Sequence, residues 1–395
     1  MSLYSTNGRY LKIMAIIKKH FFAQLDETIA TLKTEGVEVI RLDIGSPDLP
    51  PHPSVIETLA RASARGDSHG YQSHLGPLSY REAWTGMYKR VFNVDLDPAT
   101  EIVPLLGTKE GIYHLSQAVI KASNVVLIPN PYYPTYLRGT ELAGGTPYFM
   151  PLLAENGYLP NLDAIPAEIA DKAKLIWVNY PNNPLGATAP LSFYEKLVRF
   201  AKKYNILICS DIPYAQVYFG EDAPPSIMQV EGAKDVAIEF NSLSKSHNMA
   251  GWRIGAAVGN SAVLNTLLKL KTNADSGHFG PILEAASHAM GLESSWIQER
   301  NDIYSERRDI IIESLRSLGV DVASPQASLY IWCPIPEGWT SEKFALAMLK
   351  EAGVSVAPGT VFGSKGEGFV RISITQPKEI IAEAMDKLSK WWKTL

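Results

Sequence analysis

The stretch EFNSLSKSHNMAGWRIG, residues 239–255, places one lysine in a small and polar setting. Lys245 lies between Ser244 and Ser246, and Arg253 follows eight positions later. A solvated surface lysine needs neither hydroxyl neighbours nor a nearby arginine, whereas a lysine that forms a covalent bond beside a bound anion is served by both. An amine is nucleophilic only when neutral, and a cationic neighbour and partial desolvation both lower its pKa. The stretch therefore predicts a covalent site next to an anion-binding arginine.

Further polar groups follow short apolar runs elsewhere in the chain. In GTKEG, Gly107, Thr108 and Lys109 open a predicted helix, whose free backbone N–H groups favour a bound anion. The remaining groups are Tyr132 and Tyr133 in PYYPTY, Asn183 in PNNPLGA, Asp211 with Tyr214, and Ser242 with Ser244.

Each of these groups alone has a structural explanation. An aspartate at the end of a strand, such as Asp211, is more often a helix cap than a catalytic group. A PNNP sequence is usually a turn. Together, however, the groups match one ligand that carries a phosphate, an aromatic ring, a protonated ring nitrogen and an aldehyde. That ligand is pyridoxal 5'-phosphate.

The apolar runs that precede these groups have the composition of buried strands, since they are short, often β-branched and bounded by Gly, Pro, Asn or Asp. Helical patterns such as residues 192–204 separate them. This alternation predicts an α/β fold with a mainly parallel sheet flanked by helices, in which ligands bind beyond the carboxyl ends of the strands. The predicted strands are 101–107, 124–130, 174–180, 205–211 and 237–244.

The length of 395 residues exceeds what one compact core usually holds, so two domains are expected. From about residue 285 the pattern changes to long helices with a few strands, which predicts a smaller α+β domain over 285–395. The N-terminal arm, 1–50, is expected to join this small domain. The cofactor-binding large domain then spans 51–284.

Composition excludes several classes of function. A net charge of −4 gives no basic surface for nucleic acid and no polybasic membrane anchor. No run reaches about 18 apolar residues, so no membrane span is predicted. The histidines have no metal-ligand spacing, and Cys209 and Cys333 lie in apolar runs that predict buried, reduced thiols. The first residues lack an apolar signal core, so the cytoplasm is the expected compartment.

Over essentially its whole length the chain resembles the class I/II aminotransferases, which have the fold type I architecture of pyridoxal-phosphate enzymes. The resemblance runs from LDIGSPDLP through YQSHLGPLSYR, PNPYYPTY, NYPNNPLGA and SDIPYAQV to SLSKSHNMAGWRIG and GFVRISIT. The segments KTNADSGHF and SLYIWCPIPEGWTSEKFA are most similar to the LL-diaminopimelate aminotransferase-like branch.

The resemblance implies that Lys245 forms a Schiff base with the cofactor aldehyde and afterwards carries a proton between the substrate Cα and the cofactor. An arginine suits the phosphate because its planar fork donates two parallel hydrogen bonds. The residues implied to bind the phosphate end of the cofactor and its surroundings are Gly107, Thr108, Lys109, Ser242, Ser244 and Arg253.

Asp211 matches the carboxylate that keeps the ring nitrogen protonated, so that the ring can accept electrons. Tyr214 and Asn183 match the pair that hydrogen-bonds the phenolic oxygen of the cofactor. Tyr133 matches the aromatic residue stacked on the ring. Tyr71 matches a tyrosine that reaches the phosphate of the neighbouring subunit, which implies a homodimer with active sites at the interface.

Arg371 matches the arginine that binds the substrate α-carboxylate in a bidentate manner. Gly45, through its backbone, and Asn183 are implied to contact the same substrate. The sequence departs from the family at Leu185, where a threonine is usual, and at His247, where an aromatic residue is frequent. Both departures are expected to affect the substrate entrance more than the chemistry.

The predicted function is an aminotransferase with a ping-pong mechanism that passes an amino group to a 2-oxo acid, 2-oxoglutarate being favoured. Its expected catalytic residues are Lys245, Asp211 and Tyr214. A pyridoxal-phosphate lyase on the same scaffold is the alternative within enzymes. A non-catalytic regulatory descendant is a second alternative, against which stand the filled positions Lys245, Asp211 and Arg371.

The branch resemblance predicts an amino donor with a polar or charged far end. LL-diaminopimelate is expected first, and aspartate or glutamate next. Lys109, His278 and Tyr71 are the residues expected to supply donors to that far end.

Overall fold

The computed structural model describes residues 21–395. Its strands are β1 (Ile40–Arg41), β2 (Ile102–Leu105), β3 (Val125–Asn130), β4 (Thr146–Pro151), β5 (Ala173–Asn179), β6 (Leu207–Asp211), β7 (Ala237–Ser242), β8 (Gly255–Gly259), β9 (Tyr330–Pro334), β10 (Val354–Ser355), β11 (Ala357–Pro358) and β12 (Phe369–Ser373). Its α-helices are α1 (Phe21–Thr34), α2 (Pro53–Ser63), α3 (Leu78–Phe92), α4 (Thr108–Val119), α5 (Pro134–Leu142), α6 (Ala167–Ala170), α7 (Leu191–Tyr204), α8 (Ala233–Val236), α9 (Leu243–Ser246), α10 (Ser261–Lys271), α11 (Gly280–Met290), α12 (Ser294–Ser317), α13 (Ser341–Ala347) and α14 (Lys378–Trp392).

A seven-stranded sheet with the spatial order β2-β8-β7-β6-β5-β3-β4 forms the centre of the fold. Strand β8 is antiparallel to both of its neighbours, and the other pairs are parallel. The predicted α/β architecture with a mainly parallel sheet is therefore confirmed. The predicted runs missed β8, because GAAVG consists mostly of glycine and alanine and has a single β-branched residue, and they missed β4, whose residues are mostly half-exposed or exposed.

The central strands are buried on both faces, as their continuous apolar sequences predict. In β5, Leu175 and Trp177 pack into the core on one face of the sheet, while Ile176 and Val178 pack into the core on the other. Side chains alternate along a strand, so a strand covered by helices on both sides must be apolar at every position.

The parallel arrangement brings distant parts of the chain to one edge of the sheet. Strand β6 ends at Asp211 and β7 ends at Ser242, and the two strands are neighbours. Strand β2 lies two strands from β7 and leads into Gly107 at the start of α4. Asp211, Ser242 and Gly107 therefore lie at the same edge of the sheet, at or just beyond the carboxyl ends of their strands.

Two smaller sheets lie outside the central one. Strands β11, β12 and β9 form an antiparallel sheet, and β1 pairs in parallel with β10. Helix α13 continues as a π-helical turn, Met348–Ala352, and Gly353 ends it with a φ of 68°. The pairing of β1 with β10 joins residues 40–41 to residues 354–355, and the domain boundaries given above remain predictions.

Within residues 21–395 no helix is both long enough and apolar enough to cross a membrane.

Candidate active site

A cavity of about 540 Å³ lies beyond the carboxyl ends of β6 and β7 and reaches β12 and the segment after β1. Most of the predicted site residues line it, although they come from widely separated parts of the chain. These residues are Gly45, Thr108, Lys109, Tyr133, Asn183, Asp211, Tyr214, Ser242, Ser244, Lys245, Arg253 and Arg371.

Lys245 lies in the four-residue helix α9, directly after β7. The Ser242 hydroxyl caps this helix by accepting a hydrogen bond from the Ser244 N–H at 3.1 Å. The Lys245 Nζ donates to the Gly45 carbonyl oxygen at 2.5 Å. Burial lowers the pKa of Lys245 to about 8, and the positive charges of Arg371 and Arg253 act in the same direction. About a tenth of this amine is therefore neutral and nucleophilic at pH 7, far more than for an ordinary lysine.

Arg371 is a buried cation on β12, and only 4% of its surface is exposed. It donates to the Asn183 Oδ1 at 2.9 Å and to the Asp43 carbonyl oxygen at 2.6 Å. Its guanidinium lies 4.1 Å from the centre of the Tyr330 ring. Among residues 21–395 no carboxylate pairs with it, and its Nε has no acceptor. A buried guanidinium without a carboxylate is well suited to bind one from a substrate.

Asp211 is buried, and only one of its two carboxylate oxygens has a hydrogen-bond partner among residues 21–395. Its Oδ2 accepts a hydrogen bond from the Tyr136 hydroxyl at 2.6 Å, whereas its Oδ1 has no partner. Burial raises the pKa of Asp211 to about 7, against the opposing hydrogen bond from Tyr136. A cationic N–H donor facing Oδ1 would satisfy the free oxygen and stabilise the ionised form. The protonated ring nitrogen of pyridoxal phosphate is a donor of this kind, so this residue fits the cofactor.

The turn before α4 forms a cradle that fits a phosphate. Gly107 has a φ of +78°, and a Cβ at this position would lie 2.3 Å from the Arg253 Nη2, so a larger residue would displace the arginine. A hydrogen bond from the Arg253 Nη1 to the Ala250 carbonyl oxygen, at 2.8 Å, orients the guanidinium. The free N–H groups at the start of α4, beginning at Thr108, complete a site for an anion next to Ser242.

A buried ion network supports this turn and was missed by the sequence analysis. Glu110 accepts a hydrogen bond from the Leu106 N–H at 2.9 Å and lies 3.3 Å from the buried Lys271 ammonium, which also lies 2.7 Å from Asp275. Ligand atoms of Glu110, His114 and Asp275 lie within 4.8 Å of one another. Since Lys271 already supplies a cation to both carboxylates, the cluster holds the turn in place through ion pairs.

Tyr330 and Asn179 also line the cavity and were not predicted. The Tyr330 and Tyr214 hydroxyls lie 2.8 Å apart, and burial raises the pKa of Tyr214. A Cβ at Gly45 would lie 1.9 Å from the Tyr330 hydroxyl oxygen, so Tyr330 requires a glycine there. The Asn179 Nδ2 donates to the Asp211 carbonyl oxygen at 2.6 Å and its Oδ1 accepts from the Asn183 N–H at 2.8 Å. Asn179 therefore ties together two of the strand ends.

Several residues noted in the sequence do not line this cavity, among them Gly107, which lies against the lining residue Arg253. Tyr71 is 94% exposed, so it contributes nothing to the cavity of its own chain. Leu185 is buried in a small apolar cluster with Trp332. His247 is also buried, its Nδ1 lies 2.9 Å from the Ser246 Oγ, and burial lowers the pKa of its ring to about 3. Neither Leu185 nor His247 lines the cavity, although both are buried.

The sequence profile of the family "Aminotransferase class I and II" matches residues 37–388, and the chain belongs to this family. It is a pyridoxal-phosphate-dependent aminotransferase with the fold type I architecture. The chain is 45% identical to an LL-diaminopimelate aminotransferase of Aquifex aeolicus over 375 residues, which cover 95% of this chain and 97% of that one. It is 43% identical to an LL-diaminopimelate aminotransferase of Moorella thermoacetica over 371 residues, covering 94% and 95% of the two chains.

Solved structures agree with the fold. Substrate-bound BacF of Bacillus subtilis superimposes with a TM-score of 0.92 at 34% identity, covering 99% of this chain and 98% of that one. A probable N-succinyldiaminopimelate aminotransferase of Thermus thermophilus gives a TM-score of 0.88 at 32% identity, covering 93% and 99%. The resemblance, the enzyme class and the cofactor predicted from the sequence are thus confirmed, while the roles of individual residues remain predictions.

Proposed function

We propose that the enzyme takes the amino group of LL-diaminopimelate and passes it to 2-oxoglutarate. The observation that carries this proposal is the naming of relatives that are 42% to 45% identical over nearly the whole chain as LL-diaminopimelate aminotransferases. Identity at this level over both full lengths favours a shared donor, because the donor pocket is drawn from many separate segments of the chain.

The charges at the cavity wall agree with such a donor. Asp26 on α1 and Arg41 line the same cavity as Lys245, and the Asp26 Oδ1 lies 2.5 Å from the Arg41 Nη1. The far end of LL-diaminopimelate carries one ammonium and one carboxylate, so it can meet both members of this pair. Lys109 adds a further positive charge at the wall. His278, also expected to contribute, instead lies with its Nε2 3.1 Å from the Arg253 carbonyl oxygen and does not line the cavity.

When bound, pyridoxal phosphate supplies an aldehyde that takes up the amino group and a ring that accepts the electron pair left at the substrate Cα. Lys245 is assigned the amine that holds the cofactor and then moves the proton at Cα. Asp211 keeps the ring nitrogen protonated, and Arg371 orients the substrate through its α-carboxylate. Tyr214 and Asn183 are assigned to the phenolic oxygen, Tyr133 to the ring face, and the Gly107 cradle to the phosphate.

A comparison of single half-reactions tests the donor. We expect LL-diaminopimelate to react at least about tenfold faster per unit concentration than alanine, leucine or phenylalanine, because a pocket built for a charged far end leaves its groups unpaired with an aliphatic one. The measurement is the loss of cofactor absorption in a stopped-flow instrument with each amino acid. Equal rates for the aliphatic donors would contradict the proposal and leave a general aminotransferase.

The Asp26→Asn variant tests whether Asp26 contacts the far end of the donor, and glutamate is the control donor. Asp26 is 57% exposed, so the substitution is expected to leave the fold intact. It should weaken the reaction of LL-diaminopimelate and leave that of glutamate, which has no second ammonium, nearly unchanged. A parallel loss with both donors would show that Asp26 does not contact the far end.

We also propose that the enzyme is a homodimer with active sites at the interface. Tyr71 lies in a segment that packs against residues 275–280, where the His74 Nε2 is 2.9 Å from the Asp275 carbonyl oxygen. This segment holds the exposed Tyr71 ring away from its own cavity, which supports a role in the cavity of a second copy. The cytoplasm remains the predicted compartment, to be tested by cell fractionation.

Mixing two defective variants tests the shared site. A Lys245→Ala subunit and a Tyr71→Ala subunit should form a heterodimer with one complete active site, so the mixture should exceed the summed activities of the two variants after subunit exchange. Sedimentation should give twice the chain mass of 43.4 kDa. A monomeric mass, or proven exchange without any gain in activity, would contradict the proposal.

A further inference from the structure

Arg300 on α12 is a buried cation that lies outside the cavity and has none of the roles assigned above. Only 2% of its surface is exposed, and it does not line the cavity. No carboxylate pairs with it in the described part of the chain; its partners are backbone carbonyl groups and the Asn301 side chain. Burial lowers the pKa of Arg300 to about 10. Burying a charge of this kind costs several kcal/mol unless hydrogen bonds satisfy it, so the identity of its acceptors matters.

One side of the Arg300 guanidinium binds the helix that carries Lys245. Its Nη1 donates to the Lys245 carbonyl oxygen at 3.2 Å and to the Ser246 carbonyl oxygen. Helix α9 has only four residues, so the carbonyl groups at its C-terminal end find no N–H donor within the helix. Arg300 satisfies two of them and thereby ends this helix at a fixed place.

The other side of the guanidinium binds the segment that carries Tyr214. The Arg300 Nη2 donates to the Gln216 carbonyl oxygen at 2.5 Å and to the Asn301 Oδ1 at 2.7 Å. The Asn301 Nδ2 donates to the same Gln216 carbonyl oxygen at 3.2 Å. Gln216 lies two residues after Tyr214, so one guanidinium joins two segments that both line the cavity.

We propose that Arg300 is a positioning residue that fixes the segment of Lys245 relative to the segment of Tyr214. The planar fork of an arginine can bind acceptors on two sides at once, which a single ammonium cannot do with the same geometry. The inference rests on the roles proposed above for Lys245 and Tyr214. Its test uses the cofactor-free protein, so that its outcome stays separate from whether those roles are correct.

Hydrogen exchange read by mass spectrometry is the first measurement. Arg300→Met should speed exchange in both 212–217 and 243–249 by about tenfold or more, since it removes hydrogen bonds from a charged donor and leaves buried carbonyl groups unpaired. Arg307→Met is the matched control. Arg307 lies on the same helix with 4% of its surface exposed, but it binds Asp48 at 2.7 and 2.9 Å. This control should leave exchange in both segments near the wild-type rates.

The pH profile of Lys245 is the second measurement. Because its pKa is lowered to about 8, labelling by an amine-directed reagent should rise as the pH increases through 8 in the wild type. In Arg300→Met the loosened helix admits water, so the midpoint should move upward by about one pH unit toward the ordinary value of a lysine. Peptide mass spectrometry of the labelled protein gives this midpoint, and Arg307→Met should leave it in place.

Arg300→Lys keeps the charge and carries the test if the methionine variant does not fold. We expect the ammonium to protect one of the two segments and to leave exchange in the other faster than in the wild type. Wild-type exchange in both segments, together with an unchanged Lys245 midpoint, in a folded Arg300 variant would overturn the proposal.

Discussion

Replacing Lys245 by alanine should lower kcat by about 10⁴-fold or more, because the amine serves both as the covalent anchor and as the proton carrier. Among the described residues, Lys109 is the other lysine that lines the cavity. Burial lowers the pKa of Lys109, and the positive charge of the nearby Arg253 acts in the same direction, so this lysine belongs to the phosphate cradle. The measurement is the steady-state rate with LL-diaminopimelate and 2-oxoglutarate, together with the visible absorption of the bound cofactor.

Lys245→Arg is the control that separates charge from chemistry. It keeps a cation in the same place, but a guanidinium stays protonated and does not attack a carbonyl group. We therefore expect this variant to be as inactive as the alanine variant. In the wild type, borohydride should fix the cofactor covalently to Lys245, as peptide mapping would show. A label on another lysine, or near-normal turnover in either variant, would contradict the assignment.

The strand ends could be predicted because local signals specify them. Asp211 and Ser242 each follow an apolar run that is bounded by polar residues, and adjacent parallel strands bring such positions together. Gly107, at the phosphate cradle, could be predicted in the same way, since it begins a helix directly after an apolar run of residues. For these residues the local sequence and the topology of the sheet agree: Asp211 and Ser242 line the cavity, and Gly107 lies against Arg253, which also lines it.

The parts that escaped prediction depend on contacts between distant segments. Tyr330 lies in an apolar run whose pattern marks it as core, and only its approach to Tyr214, 116 residues away, reveals a polar contact. Arg300 lies in a long helix that reads as charged surface, and its acceptors come from two other segments. Strand β8 is built from small residues that carry little strand signal. In each case the three-dimensional neighbour supplies the information that the local pattern lacks.

Replacing Asp211 by asparagine should leave the cofactor bound but slow the removal of the Cα proton by about 10³-fold or more, since the ring nitrogen loses the charge that keeps it protonated. The phosphate cradle at Gly107 and Arg253 is separate from Asp211, so binding should persist. Asparagine has nearly the same shape as aspartate and can still accept the hydrogen bond from Tyr136. The measurement is the single-turnover half-reaction, with the cofactor content determined after gel filtration.

Tyr136→Phe provides a graded comparison at the same carboxylate. Its hydroxyl donates to the Asp211 Oδ2 at 2.6 Å, and the ring stacks on Trp177 with 4.8 Å between centres, so phenylalanine preserves the packing. Losing this donor should raise the pKa of Asp211 further and slow the half-reaction by about tenfold, much less than Asp211→Asn. If Asp211→Asn instead reacts within tenfold of the wild type, the carboxylate serves only to end β6, and the ring nitrogen must be held in another way.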